Sequence, residues 1–243
     1  MKRRLDTELV ARGLADTRSK AQALIMSRRV SVNDEIVSKA GFPVTASDRI
    51  SVAQPEHPWV GRGGIKLAHA LEQWSIEPAG LVCADIGAST GGFTHVLLEK
   101  GASRVYAIDV GYGQLDIHLR NDARVTVMER LNARYLDEES LPERVSLISI
   151  DVSFISLRLI LPAAVLIASD RARIIALIKP QFEVGRENVG KGGIVRDEAA
   201  RTSAVESILD SARGLGLVVR ETTRSPITGA EGNVEYLSLL EKC

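Results

Sequence analysis

The chain has 243 residues, 45% hydrophobic and 26% charged, and its 31 basic side chains balance 31 acidic ones, enough for one α/β domain with a small appendage. Two cysteines, Cys83 and Cys243, exclude a disulfide framework and a cysteine metal site, and His57, His69, His95 and His118 lack metal-ligand spacing. No apolar run reaches the roughly 20 residues of a membrane span, and no apolar stretch follows Lys2, Arg3 and Arg4 as in a signal peptide, so a cytoplasmic protein with neither membrane nor metal is expected.

Neutrality hides an asymmetry: residues 1–66 carry twelve Lys/Arg against seven Asp/Glu, and the remainder is acidic by the same margin. A compact basic end on an acidic body points to a polyanion partner. Leu5, Leu9 and Val10 show helical spacing that stops at Gly13. A second helix is expected from Arg18 to Ser27, with Ala21, Leu24 and Ile25 on one face and Asp16 or Thr17 as its cap. Val30-Ser31-Val32 leads into a turn at Asn33-Asp34, and Arg49 to Val52 reads as another strand. This is a small α+β domain, with Arg4, Arg18, Lys20, Arg28 and Arg29 as candidate phosphate contacts. The pattern Arg4-Leu5-Asp6, Leu9-Val10, Gly13-Leu14-Ala15, Arg18-Ser19 and Ala21 resembles the αL RNA-binding module of ribosomal-protein S4-type domains. Arg4-Leu5-Asp6 also matches the catalytic tripeptide of pseudouridine synthases, but it opens a helix here and is read as structural.

Gln54-Pro55-Glu56-His57-Pro58 punctuates the chain. The expected division is an RNA-binding domain at 1–54, a linker at 55–64 with a flexible stretch from Trp59 to Gly64, and a second domain at 65–243. Arg62 in the linker is a further candidate RNA contact, and Lys66 to Trp74 reads as an amphipathic helix. Strands are then expected at 81–85, 105–109, 125–128, 145–150, 174–178, 217–221 and 234–240, and helices at 91–100, 113–120, 156–169 and 197–214. Such alternation predicts an α/β domain with a mostly parallel, doubly wound sheet, ligands at the carboxyl ends of its strands, and the last two strands as an antiparallel edge.

The first of these strands runs into Asp85-Ile86-Gly87-Ala88-Ser89-Thr90-Gly91-Gly92-Phe93, and the second ends in Asp109-Val110. That is a turn open to close ligand approach, with an acid placed for ribose hydroxyls. The glycine order is not G-x-G-x-x-G, and an acid precedes the first glycine. Both features favour S-adenosylmethionine (SAM), which has no pyrophosphate to set on a helix N-terminus. Asp85, Gly87, Ser89, Thr90, Gly91, Gly92, Phe93, Asp109 and Val110 are therefore candidate SAM contacts, with Glu129 and Asn132 expected near an adenine ring and Asp151 beside them. Lys179 ends a strand of five apolar residues. A charge there is in a site or in a costly place, and Asp151 on the neighbouring strand supplies its opposite.

Lys66, Asp151, Lys179 and Glu235 resemble, in order and context, the Lys-Asp-Lys-Glu tetrad of RrmJ/FtsJ-type ribose 2′-O-methyltransferases. The runs Arg62 to Leu67, Asp109 to Leu115, Asp151 to Leu157, Lys179 to Gly185 and Gly232 to Tyr236 are similar to the TlyA branch of that group, whose members are also labelled haemolysins. The resemblance spans nearly the whole chain. It implies a Rossmann-like SAM-dependent methyltransferase fold, cytidine 2′-O-methylation of ribosomal RNA, and ribosomal RNA or ribosomal subunits as partners. It favours large-subunit RNA, because the chain stops soon after its last strand as the shorter members do. A ribose hydroxyl is too weak an acid to lose its proton to water at neutral pH, so the reaction needs a base, and a lysine desolvated beside a second cation can serve. Lys179 is expected in that role, with Lys66 as the neighbouring cation, Asp151 holding both lysines, and Glu235 orienting Lys66 or the ribose.

Other chemistries lack residues. Gly185-Arg186-Glu187-Asn188-Val189-Gly190-Lys191-Gly192 fails as a Walker A motif because Gly192 stands where Ser or Thr must hold magnesium, and it reads as a mobile glycine-rich loop. Base N-methylation favours Asn-Pro-Pro-aromatic where this chain has Asp151-Val152-Ser153-Phe154, and cytosine C5 methylation needs a cysteine nucleophile. The remaining alternatives are an RNA-binding ribosome assembly factor with an inactive methyltransferase fold and a membrane-active haemolysin. The second would need a span or a strongly basic amphipathic stripe, and the sequence shows neither.

Overall fold

The computed structural model describes residues 2–53 and 57–243, so Gln54, Pro55 and Glu56 of the expected linker lie outside the described residues. The chain forms two compact units, one ending at Pro58 and the other running from Trp59 to Cys243.

In the first unit, helices α1 (Leu5–Ala11) and α2 (Arg18–Met26) bury Leu5, Leu9, Ala21 and Ile25 against Val30, Val32, Val44 and Ile50. Thr17, not Asp16, caps α2, its hydroxyl accepting from the Lys20 amide at 3.2 Å. Strands β1 (Arg3–Arg4) and β4 (Pro43–Val44) pair with each other, while β2 (Val30–Val32) pairs with β3 (Glu35–Ile36) and β5 (Ile50–Val52). Asn33 and Asp34 turn the β2–β3 hairpin at φ 52° and 69°, the left-handed pair that a two-residue hairpin loop demands and that these side chains tolerate. The two-residue strands β1 and β4 carry no periodicity and were not foreseen.

The second unit opens with α3 (Gly63–Gln73), earlier than the expected Lys66 start. The supposedly flexible lead-in is packed: the Val60 amide donates to His95 Nδ1 at 3.2 Å, and Trp59 lies against Gly64. Its strands are β6 (Val82–Ile86), β7 (Arg104–Ile108), β8 (Val125–Met128), β9 (Val145–Ile150), β10 (Ala168–Ile178), β11 (Leu217–Arg224) and β12 (Tyr236–Lys242). Among the described residues they form a seven-stranded sheet in the order β11-β12-β10-β9-β6-β7-β8. Strands β8, β7, β6, β9 and β10 are parallel, and β12 runs antiparallel to both β10 and β11. The antiparallel strand is thus one place in from the edge, not at it. Leu237 to Leu240 of β12 are buried in succession whereas β11 buries only Leu217, and the more apolar strand takes the covered position.

Helices cover both faces. Leu67 and Leu71 of α3 pack with Phe93 and Leu97 of α4 (Gly92–Glu99) on one side. On the other, Leu161 and Ile167 of α6 (Leu161–Ile167) lie with Ile208 and Leu209 of α7 (Glu198–Gly214). Two expected helices are shorter than their patterns. Asp116 caps α5 (Ile117–Arg120) by accepting from the His118 amide at 2.8 Å, after a turn made by Gly111 and Gly113. Pro162 sits in the first turn of α6, where a missing N–H costs nothing. Among the described residues no helix is long and apolar enough to cross a membrane.

Candidate active site

The parallel strands bring Gly87, Asp109, Asp151 and Lys179 to one end of the sheet. Gly87 stands at φ 87°, and a Cβ there would lie 2.5 Å from the Asp151 carbonyl oxygen, so the β6 turn and the β9 exit touch backbone to backbone. The amides of Gly87 and Ala88 both donate to the Ile108 carbonyl, at 2.8 and 3.1 Å. The turn is therefore fastened to both neighbouring strands.

A cavity of about 590 Å³ opens beside it, lined by Gly87, Ser89, Asp109, Val110, Asn132 and Asp151 together with largely apolar residues. Its size and lining suit a small-molecule ligand. Asp109 accepts from the Ser89 amide at 2.8 Å and the Gly111 amide at 2.6 Å, which holds its carboxylate at the cavity wall. Thr90, Gly92 and Phe93 line an adjoining cleft with Arg62, Gly63 and Lys179, and Gly87, Ser89, Asp151 and Ser153 belong to both spaces. Gly91 lines neither. It caps α4 in the left-handed region, at φ 97°.

Two expected SAM contacts face elsewhere. Glu129 accepts from the Gly113 amide at 2.9 Å and from Arg120, so it braces the 111–116 loop, and the Arg120 guanidinium holds its carboxyl below the usual range. Asp85 is fully buried beneath the turn and accepts from the Thr94 amide (2.8 Å), the Thr94 hydroxyl (2.7 Å) and the Ser149 hydroxyl (3.1 Å). It ties α4 to β9. Burial pushes its carboxyl up to about 7 against those hydrogen bonds.

A carboxyl raised on folding favours the folded state below its unfolded value, near 3.8, and loses that contribution as pH rises through about 7. Asp85→Asn keeps the acceptor for Thr94 and an amide to donate to Ser149, but removes the titration. The stability of the wild type relative to Asp85→Asn should therefore fall on the order of a few kcal/mol between about pH 4 and 7. Denaturant titrations across that range measure it, and a constant difference would contradict a neutral buried Asp85.

The four tetrad residues form two separate ion pairs. Lys66 Nζ lies 2.5 Å from Glu235 Oε2, with both side chains less than a tenth exposed. Lys179 Nζ lies 2.6 Å from Asp151 Oδ1 and donates to Ser153 Oγ at 2.8 Å. The expectation that Asp151 holds both lysines is corrected: Asp151 pairs with Lys179, and Glu235 holds Lys66. Lys179 and Asp151 line the adjoining cleft, whereas Lys66 is not among its lining residues and is buried in its pair with Glu235.

In the first unit, Asp6 is fully buried and receives Arg4 (3.1 Å to each oxygen), Arg18 (3.0 Å) and Gln22 (2.9 Å). The Arg4 guanidinium above all holds its carboxyl well below the usual range, against desolvation. Asp6 is therefore a structural hub, and Arg4 and Arg18 present their outer faces while anchored to it. Arg29 is also engaged, donating to the Ala53 carbonyl at 2.8 and 3.1 Å. Lys20 pairs with Asp16 on open surface at 2.6 Å, Arg28 is exposed, and Arg62 in the second unit donates to the Thr228 carbonyl at 3.3 Å. Sequence reading missed Ser153 and Asp85's partners Thr94 and Ser149. Ser149 did carry a signal, being a polar residue flanked by Ile148 and Ile150 in a mainly apolar strand.

The FtsJ-like methyltransferase family profile matches residues 59–242 and the S4 domain profile residues 3–50. The chain is 48% identical over 234 residues to the 16S/23S rRNA (cytidine-2′-O)-methyltransferase TlyA of Mycobacterium tuberculosis, across 96% of this chain and 87% of that protein. It is 35% identical to the 23S rRNA (cytidine-2′-O)-methyltransferase TlyA of Campylobacter jejuni, across 93% of this chain and 95% of that one. A solved structure from Streptococcus thermophilus, under a hemolysin name, superposes with a TM-score of 0.78 at 41% identity, covering 99% of this chain and 88% of the other.

Proposed function

Because the chain belongs to the TlyA family of FtsJ-like methyltransferases, we propose that it methylates the 2′-oxygen of a cytidine in ribosomal RNA, with large-subunit RNA as its substrate. The observation that carries this reading is the Lys179–Asp151 pair with Ser153 at the seam between a ligand-sized cavity and an open cleft. The names of the M. tuberculosis and C. jejuni relatives share 23S RNA and cytidine 2′-O chemistry, which supports the choice of nucleotide and subunit. An RNA substrate of that kind also implies a cytoplasmic location.

Asp109, Val110, Asn132 and the Gly87–Ser89 turn would hold SAM in the larger cavity. SAM supplies an electrophilic methyl group when bound. Lys179 faces the cleft in which a ribose would sit, and serves there as the proton acceptor for the 2′-hydroxyl. Asp151 and Ser153 fix its amine in direction. The buried Lys66–Glu235 pair, which does not line the cleft, contributes a fixed charge arrangement instead of a group that meets the ribose. Positioning of acceptor and oxygen supplies much of the acceleration, and the first unit holds the RNA through its basic surface.

The test is tritium transfer from labelled SAM onto separated ribosomal subunits and bare ribosomal RNA, followed by nucleoside analysis. We expect 2′-O-methylcytidine in large-subunit RNA. A methylated base, or label confined to the small subunit, would overturn the corresponding part of the reading. Lys20→Glu combined with Arg28→Glu should weaken RNA binding roughly tenfold and flatten its salt dependence, with SAM affinity unchanged. Arg18 is unsuitable for that test, because a glutamate there would face the buried Asp6 carboxylate.

A further inference from the structure

Lys179 draws both of its partners, Asp151 and Ser153, from the loop that leaves β9. That loop has no regular structure from Asp151 to Ser156, and Phe154 within it adopts the left-handed conformation at φ 63°. A segment of this kind does not hold a hydrogen-bonding geometry by itself. Its bracing comes from the residues that follow Lys179. After the single turn Pro180–Phe182, the Phe182 ring meets Phe154 at a centroid distance of 5.1 Å. The next residue, Glu183, accepts from the Ser156 hydroxyl at 2.6 Å and from the Leu157 amide at 2.9 Å, one bond to each carboxylate oxygen.

We infer that Glu183 is a positioning residue: it latches the β9 exit loop to the β10 exit loop and so keeps Lys179 directed at Ser153 and Asp151. The inference rests on the reading of Lys179 as proton acceptor. Glu183 lines neither the larger cavity nor the cleft, so it acts through the loop and does not touch substrate. Both of its bonds come from uncharged donors, and burial raises its carboxyl above the usual value, so the latch needs two hydrogen-bonding atoms at the end of this side chain more than it needs a negative charge. A glutamine can replace both bonds. Its carbonyl accepts from the Leu157 amide, and its NH₂ donates to Ser156 Oγ.

The test compares Glu183→Ala and Glu183→Gln with the wild type in methyl transfer to ribosomal RNA, in SAM binding, and in hydrogen exchange of the Leu157 amide. Glu183→Ala should lower kcat by roughly ten- to a hundredfold, leave KM for RNA and SAM affinity within about threefold, and speed Leu157 exchange at least about tenfold. Glu183→Gln should stay within about threefold of wild type in every readout. Unchanged kcat in Glu183→Ala overturns the inference, and so does a Glu183→Gln as impaired as Glu183→Ala, since that would assign the effect to charge. Should Glu183→Ala fail to fold, Ser156→Ala decides: a several-fold lower kcat supports the latch, and an unchanged one refutes it. If the wild type itself transfers no methyl to any ribosomal RNA, the functional reading fails. The Leu157 exchange then still reports whether Glu183 holds the loop.

Discussion

Lys179→Ala should reduce methyl transfer by roughly a thousandfold, the middle of the range that a positioned proton acceptor contributes, while SAM binds within about threefold of its normal affinity. The separation follows from the site's layout: Lys179 lines the cleft but not the 590 Å³ cavity. Removal of its amine leaves Asp151, a fifth of whose side chain is exposed, open to hydration, so the fold should tolerate the change. Lys66→Ala is the informative contrast. Glu235 is only 3% exposed, and truncation of its partner leaves an uncompensated buried carboxylate, a loss of about 3–5 kcal/mol of stability. Single-turnover transfer and SAM titration of both variants, beside denaturant unfolding, would assign the roles. Lys179→Ala that turns over normally would move the base elsewhere. Lys66→Ala that is stable but inactive would make Lys66 the candidate.

Much of this arrangement was legible as text because a sheet advertises its carboxyl ends. Five apolar residues that stop at Lys179, and a mainly apolar strand of six that stops before Asp151, mark places where a charge either works or costs. Side-chain direction was not legible. Asp85 and Asp109 both follow strand residues, yet Asp85 is still inside β6 and points into the interior, whereas Asp109 lies one residue past β7 and turns to the cavity. The two stand two register positions apart, so strand alternation alone would give them the same face; what separates them is that Asp109 has left the sheet, where the Ser89 and Gly111 amides hold its carboxylate. Pairing was equally hidden. Lys66 and Glu235 are 169 positions apart, and which carboxylate meets which lysine is decided by the insertion of β12 beside β10. The early start of β10 had no apolar signal, since Ser169-Asp170-Arg171 is a polar run whose pairing with β9 is irregular and whose Arg171 has φ 59°. The glycine turn was the easiest part to read, because its residue type is a direct consequence of the space available.

That space sets the second large effect. Gly87→Ala should weaken SAM binding at least about tenfold and destabilise the fold by roughly 3 kcal/mol. Two costs coincide at this position. The backbone stands at φ 87°, where an L side chain is strained, and the new methyl would lie 2.5 Å from the Asp151 carbonyl oxygen and 3.1 Å from the Val152 amide nitrogen. Neither neighbour is a flexible side-chain tip, so relief requires β9's exit to move away from β6. That displacement carries Asp151 away from Lys179 and opens the floor of the cavity, so cofactor affinity and methyl transfer should fall together. Gly113→Ala supplies the control, because Gly113 has φ 70° but nothing within 4 Å of an added Cβ. It should cost only the strain, about 1–2 kcal/mol, and leave SAM affinity within about twofold. Isothermal titration with SAM and thermal unfolding of the two variants separate strain from collision. Equal SAM affinity in both would mean that the β6–β9 backbone contact does not shape the cofactor site.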